Sequence, residues 1–165
     1  MHLLTSKWMI VVYILLALVI ILFLTGKKSV HAEIIVNTSP DRVWEVLMDQ
    51  QSYNNWSTVL IPTDGVFHSD STVTYDMIDA DGKSTSVKTR VVELRKNEVL
   101  NQYGGTRGIL TVDHRYILER AESGTKVIIH EDYRGIMVNF WNPGWVQKGY
   151  EQTLVGLKAY IEGSP

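Results

Sequence analysis

The chain has 165 residues, 45% of them hydrophobic and 21% charged, a balance that describes a folding protein and not a disordered tail. Three of its 16 basic residues and none of its 18 acidic ones precede residue 30, leaving a net charge of −5 over residues 33–165; that sign works against nucleic acid, whose binding depends on Lys and Arg displacing phosphate counterions. Cysteine is absent, which removes disulfides, thiolate nucleophiles, cysteine-based zinc sites and iron–sulfur clusters.

Trp8 to Leu24 is an unbroken apolar run, and Thr25 and Gly26 extend it before Lys27. A helix of that length covers roughly 26 to 28 Å, close to the hydrocarbon thickness of a bilayer, so residues 8–26 are expected to contact lipid as a single-pass anchor. A cleaved signal peptide is the alternative, with Val30, His31 and Ala32 as a small-residue cleavage site. Against it, the run is long, two lysines precede the cut, and the cut would clip a strand. A buried core helix fits less well, because the run has no polar face. Lys27 and Lys28 outnumber Lys7 beyond the two ends, which by the positive-inside rule leans the following domain toward the cytoplasm. The chain divides accordingly into an anchor, residues 1–29, and one domain, residues 30–165.

Val30 to Val36 is β-branched and apolar, a strand ending at Asn37. Ser39 as N-cap, Pro40 at the first helical position and Asp41 at the positive end of the dipole start a helix at once. Val43, Trp44, Val46 and Leu47 recur in it at helical spacing. It ends near Asp49, and a short turn follows around Ser52 to Trp56. From Val59 to Arg134 about six strands are separated by Asp64-Gly65, Asp81-Gly82, Lys96-Asn97, Gly104-Gly105 and Ser123-Gly124, turn chemistry that joins antiparallel neighbours. Alternation puts Val73, Tyr75 and Met77 on one face of their strand, and Val127, Ile129, Glu131 and Tyr133 on one face of theirs. After Asn142-Pro143-Gly144, Val146, Tyr150, Leu154, Leu157 and Ile161 mark an amphipathic helix that ends near Gly163 and Pro165. This last helix is the one element long enough to cover a sheet with a single apolar face.

Three stretches taken together, EIIVNTSPDRVWEVLMD with YNNW soon after, DHRYILERAESGTKVIIHEDYRG, and GYEQTLVGLKAYIEG, resemble the helix-grip superfamily of START-domain lipid-transfer proteins and polyketide cyclases and dehydratases (SRPBCC). The resemblance covers about residues 30 to 162. It implies an α+β fold: a curved antiparallel sheet of about seven strands gripping the C-terminal helix, with a cavity between them. It supplies no reaction, since fold is not function.

Gly149 and Gly156, seven apart on one side of the last helix with Thr153 between them, either leave room for a ligand between helix and sheet or let the two approach closely. Trp56, Tyr75, Tyr103, Tyr116, Tyr133, Trp141 and Trp145, with Met77, suit an apolar pocket with a few polar tips, or simply a core. Phe140, Trp141 and Trp145 flank the entry to the last helix as a pocket mouth or a lipid contact. Glu131 stands on an apolar face, where desolvation would raise its pKa and fit it for acid–base work, with His114 as a partner on the neighbouring strand. The alternative places Glu131 at the strand end, either wet or paired with Arg115 or Arg134. The histidines show no ligand spacing, so no metal and no cofactor is expected. Three functions fit: binding of a lipid, isoprenoid, quinone or polyketide-like compound; a cyclase or dehydratase using Glu131 with a Tyr or His; and an accessory subunit of a membrane complex, marked by an apolar patch on the outer sheet face.

Overall fold

The computed structural model describes residues 7–163; Pro165, expected to mark the end of the last helix, lies outside them. The apolar run forms helix α1 (Lys7–Thr25), none of whose residues is buried, which removes the core-helix reading. By length and composition α1 can cross a membrane, although a signal sequence passes the same test.

A single residue, Gly26, separates α1 from strand β1 (Lys27–Val36). The strand begins three residues earlier than its apolar alternation suggests, because Lys27 and Lys28 pair with Arg134 and Tyr133: ladder bonds are indifferent to side-chain polarity. Helix α2 (Pro40–Met48) starts as its sequence dictates, with the Ser39 side chain accepting from the Arg42 amide and Val43, Trp44, Val46 and Leu47 buried. A 3-10 turn (Gln50–Asn55) leads to strands β2 (Leu60–Asp64), β3 (Thr72–Ile78), β4 (Ser84–Arg95), β5 (Val99–Thr106), β6 (Leu110–Ala121) and β7 (Gly124–Arg134). A second 3-10 turn (Ile136–Phe140) precedes helix α3 (Gly144–Gly163).

The seven strands form one sheet in the order β1-β7-β6-β5-β4-β3-β2, and every pair is antiparallel. Register shifts near Thr63 in β2 and Val92 in β4 sharpen its curl, as bulges do. Asp81-Gly82 and Lys96-Asn97 fall between strands, and Asp64-Gly65 and Ser123-Gly124 straddle a strand end. The exception is Gly104-Gly105, which lies inside β5 opposite Val112 and Thr111, the turn coming after it at residues 107–109. Gly105 has φ +89°, and a Cβ there would collide with the Leu110 carbonyl, so the glycine serves a kink within the strand and not a hairpin tip.

Helix α3 buries Val146, Tyr150, Thr153, Leu154, Leu157 and Ile161 against a core that includes Val36, Val73, Val91, Leu100, Val127 and Ile129. Its polar side chains do a second job along the free edge of β1. The Gln147 amide accepts from His31 N (2.9 Å) and donates to His31 O (2.6 Å), Lys158 Nζ donates to Ile35 O (2.7 Å), and Glu162 accepts from Asn37 N (2.9 Å). These bonds occupy groups that would otherwise template another strand. Gln147→Ala is expected to cost about 1 kcal/mol and to speed amide exchange at His31; unchanged protection there would show that the cap contributes nothing.

The outer sheet face carries charge. Lys126 pairs with Glu33 (2.8 Å), Arg115 with Asp113 (2.5 Å) and Asp132 (3.4 Å), and His130 with Asp132 (3.4 Å).

Candidate functional site

Strand register brings three polar residues into one row across the concave face. Gln102 on β5 is the Cα partner of His114 on β6, and His114 is the partner of Glu131 on β7. All three are buried, at 1%, 2% and 4% exposure. His114 Nδ1 donates to Glu131 Oε2 at 2.6 Å. From α3, the Tyr150 hydroxyl donates to the same oxygen at 2.5 Å and lies 3.3 Å from His114 Nδ1. Gln102 is oriented from the other side: its Oε1 accepts from the Tyr75 hydroxyl (2.7 Å) and from Thr89 Oγ1 (3.2 Å).

The row forms part of the wall of a cavity of about 610 Å³ between sheet and α3, which Val59, Leu60, Met77, Val87, Leu110, Val112, Tyr133, Trp141, Trp145 and Val146 also line. The remaining lining residues include Gly104, Gly105, Met137 and Phe140. Phe140 is 70% and Met137 50% exposed, so the cavity reaches the surface at the second 3-10 turn. A volume of this size falls within the range of small-molecule sites, and its wall is mostly apolar with a few convergent polar groups. A smaller depression of about 290 Å³, between Gln50 and Gly65, holds none of the buried titratable groups.

Glu131 departs from both sequence readings. It is neither wet nor paired with arginine, since Arg115 is held on the outer face by Asp113 and Asp132. Nor is its pKa raised. Burial does push it up and is the largest single influence, but His114, through its hydrogen bond above all, with Tyr133 and Tyr150 outweighs burial and holds the carboxyl below its ordinary range. Among these, the Tyr133 hydroxyl forms no hydrogen bond of standard geometry; the geometric bonds from His114 and Tyr150 carry the effect. Burial raises the pKa values of Tyr150, Tyr133 and Tyr116, and the negative charge of Glu131 adds to each. At neutral pH the tyrosines are thus hydrogen-bond donors and Glu131 is an ionised acceptor.

A depressed folded-state pKa means that the stability Glu131 contributes is fully present above its ordinary value of 4.5 and is lost as pH falls through the lower folded value. Glu131→Gln is therefore expected to flatten the acid limb of stability against pH below 4.5; an identical limb in the variant would show that other carboxylates govern it.

Of the residues singled out from sequence, Met77, His114, Glu131, Tyr133, Trp141 and Trp145 line the cavity. Tyr75 stands behind it, holding Gln102. Tyr116 is buried edge-on against His114, with ring centroids 5.1 Å apart. Trp56 is core: its indole donates to Ser52 Oγ (2.9 Å) and its ring packs on Tyr53. Tyr103 is 41% exposed, because alternation in β5 turns it away from Gln102. Gly149 and Gly156 leave no room for a ligand. A Cβ at Gly149 would collide with Val59 Cγ2, and one at Gly156 would lie 2.5 Å from the Trp56 carbonyl oxygen; both glycines serve close packing. Residue type alone does not mark Gln102 and Tyr150 as members of the buried polar row, Tyr150 having the same helical spacing as a core residue. The signal available for Gln102 was a polar residue between Leu100 and Gly104 on the inward phase of β5.

Residues 27–162 match the model of the family described as polyketide cyclase / dehydrase and lipid transport. A search of curated proteins found no match. Among solved structures, the di-domain ARO/CYC BexL from the BE-7585A biosynthetic pathway aligns with TM-score 0.69 at 11% identity, over 88% of this chain and 54% of BexL. A protein of Rhodobacter sphaeroides aligns with TM-score 0.67 at 14% identity, over 84% of this chain and 94% of that one. A protein of Mycobacterium smegmatis gives TM-score 0.65 at 14% identity, over 86% and 94%. At these identities the structures establish a shared fold, while the sequence match spans the whole domain. The chain belongs to the polyketide cyclase / dehydrase and lipid transport family.

Proposed function

We propose that this protein is a membrane-tethered binding module that holds a hydrophobic small molecule, a lipid, isoprenoid, quinone or polyketide-like compound, between the sheet and α3. The observation that carries the reading is where the cavity opens. Its rim, the turn Ile136–Phe140, is bonded to the base of α1: Asn139 Nδ2 donates to Leu22 O (2.7 Å), and Gly135 N, just before the turn, donates to Gly26 O (2.9 Å). Lys28 Nζ donates to the Trp141 carbonyl on the same rim. With α1 in a bilayer, Met137 and Phe140 would meet the membrane surface, and an apolar ligand could pass without crossing bulk water. Tethering also raises the effective concentration of the site where such ligands dissolve.

An anchor accords better with β1 than a signal peptide does. Cleavage after Ala32 would remove Lys27–Ala32, six paired positions of the β1–β7 ladder, and would sever the bond from Gln147 to His31. On this reading residues 1–29 are the anchor and residues 30–165 the working domain, with the strand's first residues shared between them and the domain leaning cytoplasmic.

A second reading, catalysis of the cyclase or dehydratase kind, is favoured by the Glu131–His114 pair, in which an ionised carboxylate orients an imidazole at a cavity wall. The reactive group in that case is His114, with Glu131 positioning it.

Two measurements on the full chain test the leading reading. It is expected to stay in the membrane pellet through alkaline carbonate extraction; release would remove the tether. Native mass spectrometry from nanodiscs is expected to show a bound apolar compound that Val112→Trp, which fills the cavity, abolishes. A clean mass for both proteins would count against the binding module.

A further inference from the structure

Two buried polar atoms on residues of the cavity wall, Gln102 Nε2 and His114 Nε2, have no hydrogen-bond partner in the protein, and the Tyr133 hydroxyl, whose neighbour is Glu131, makes no bond of standard geometry. Leaving such a group unsatisfied costs about 1–3 kcal/mol each, so a pair of them in one cavity calls for a ligand group that completes it. Their chemistry is directional. Gln102 Oε1 is already occupied by Tyr75 and Thr89, which leaves its amide N–H free to donate. His114 Nδ1 lies 2.6 Å from Glu131 Oε2; a neutral imidazole that donates Nδ1–H to this carboxylate keeps an Nε2 lone pair free to accept. Because Gln102 and His114 are paired across β5 and β6, these two atoms belong to adjacent side chains of the same row.

We propose that the ligand is an apolar molecule bearing one hydroxyl group, an alcohol, phenol or enol, seated so that its oxygen accepts from Gln102 Nε2 while its proton is donated to His114 Nε2. A ketone, ether or hydrocarbon satisfies at most one of the two. The Tyr133 hydroxyl, from β7, is a third group able to donate to the same oxygen. The inference rests on the cavity being the ligand site and adds the polar chemistry that selects among apolar ligands.

The test uses the full chain in lipid nanodiscs, titrated with naphthalene, 2-methoxynaphthalene and 2-naphthol against empty discs. The indole 15N–1H signals of Trp141 and Trp145 report occupancy, and the side-chain 15N signal of His114 Nε2 reports the hydroxyl contact. The expected result is half-saturation of the indole shifts by 2-naphthol at about one-tenth the concentration needed for the other two, with His114 Nε2 moving for 2-naphthol alone. Gln102→Leu is expected to reduce that preference to near parity; should this variant not fold, the His114 signal of the unmodified protein decides. Equal indole shifts for all three compounds with His114 Nε2 unmoved would overturn the hydroxyl seat and leave the cavity reading standing. 2-Methoxynaphthalene matching 2-naphthol would overturn the donated proton. Indole signals that respond to none of the three would overturn both this inference and the binding function beneath it.

Discussion

His114→Phe is expected to destabilise the protein by about 3–5 kcal/mol at neutral pH, the cost of leaving a buried charge without its partner. The imidazole donates to Glu131 Oε2 at 2.6 Å, and without it the buried carboxylate keeps the Tyr150 hydroxyl at 2.5 Å. Losing the strongest influence opposing burial should return the Glu131 pKa upward, so the penalty should shrink as the solution is acidified. Adding Glu131→Leu to the variant should recover much of the loss, because an apolar pair of similar volume avoids the desolvation that the buried carboxylate and its hydrogen bond must offset. Denaturant unfolding of the two single variants and the double variant gives the coupling directly. A single-variant loss under about 1 kcal/mol would mean that water reaches the pair and that its geometry has little energetic weight.

Gly156→Ala is expected to lower Tm by about 3–10 °C, the reverse of what helix propensity predicts. In an open helix interior the change gains up to about 1 kcal/mol. At this position the new Cβ would stand 2.5 Å from the Trp56 carbonyl oxygen and 3.3 Å from two further backbone atoms of Trp56. Backbone cannot rotate away as a side chain can, so overpacking of about 1–3 kcal/mol should win. Gly163→Ala is the control, since nothing lies within 4 Å of its added Cβ; it should change Tm little. A stabilised Gly156→Ala protein would show that α3 can shift off Trp56, reopening the space that the glycines close.

Much of the architecture was legible in the amino-acid order, because the signals are local. Ser39-Pro40-Asp41 starts a helix whatever surrounds it, the alternation of Val127, Ile129, Glu131 and Tyr133 assigns a face, and the four-four-three-four spacing of Val146, Tyr150, Leu154, Leu157 and Ile161 marks the buried stripe of α3. The length and hydropathy of residues 8–26 likewise sufficed for an apolar helix. Local signals failed where a contact across the sheet decided the matter. Lys27 and Lys28 became strand because Arg134 and Tyr133 were there to pair with them, and Gly104-Gly105 stayed in β5 because two neighbouring strands hold it. The site depended still more on distant partners. Sequence could put Glu131 on an apolar face, but the direction of its pKa was set by His114 and Tyr150, 17 and 19 residues away along the chain. Which aromatic residues bound the cavity, and which merely fill the core, was decided by the curl of the sheet and the seating of α3 on Trp56 and Val59. A pattern of residue types records which way a side chain points along its own element; what that side chain meets is fixed only when the elements pack.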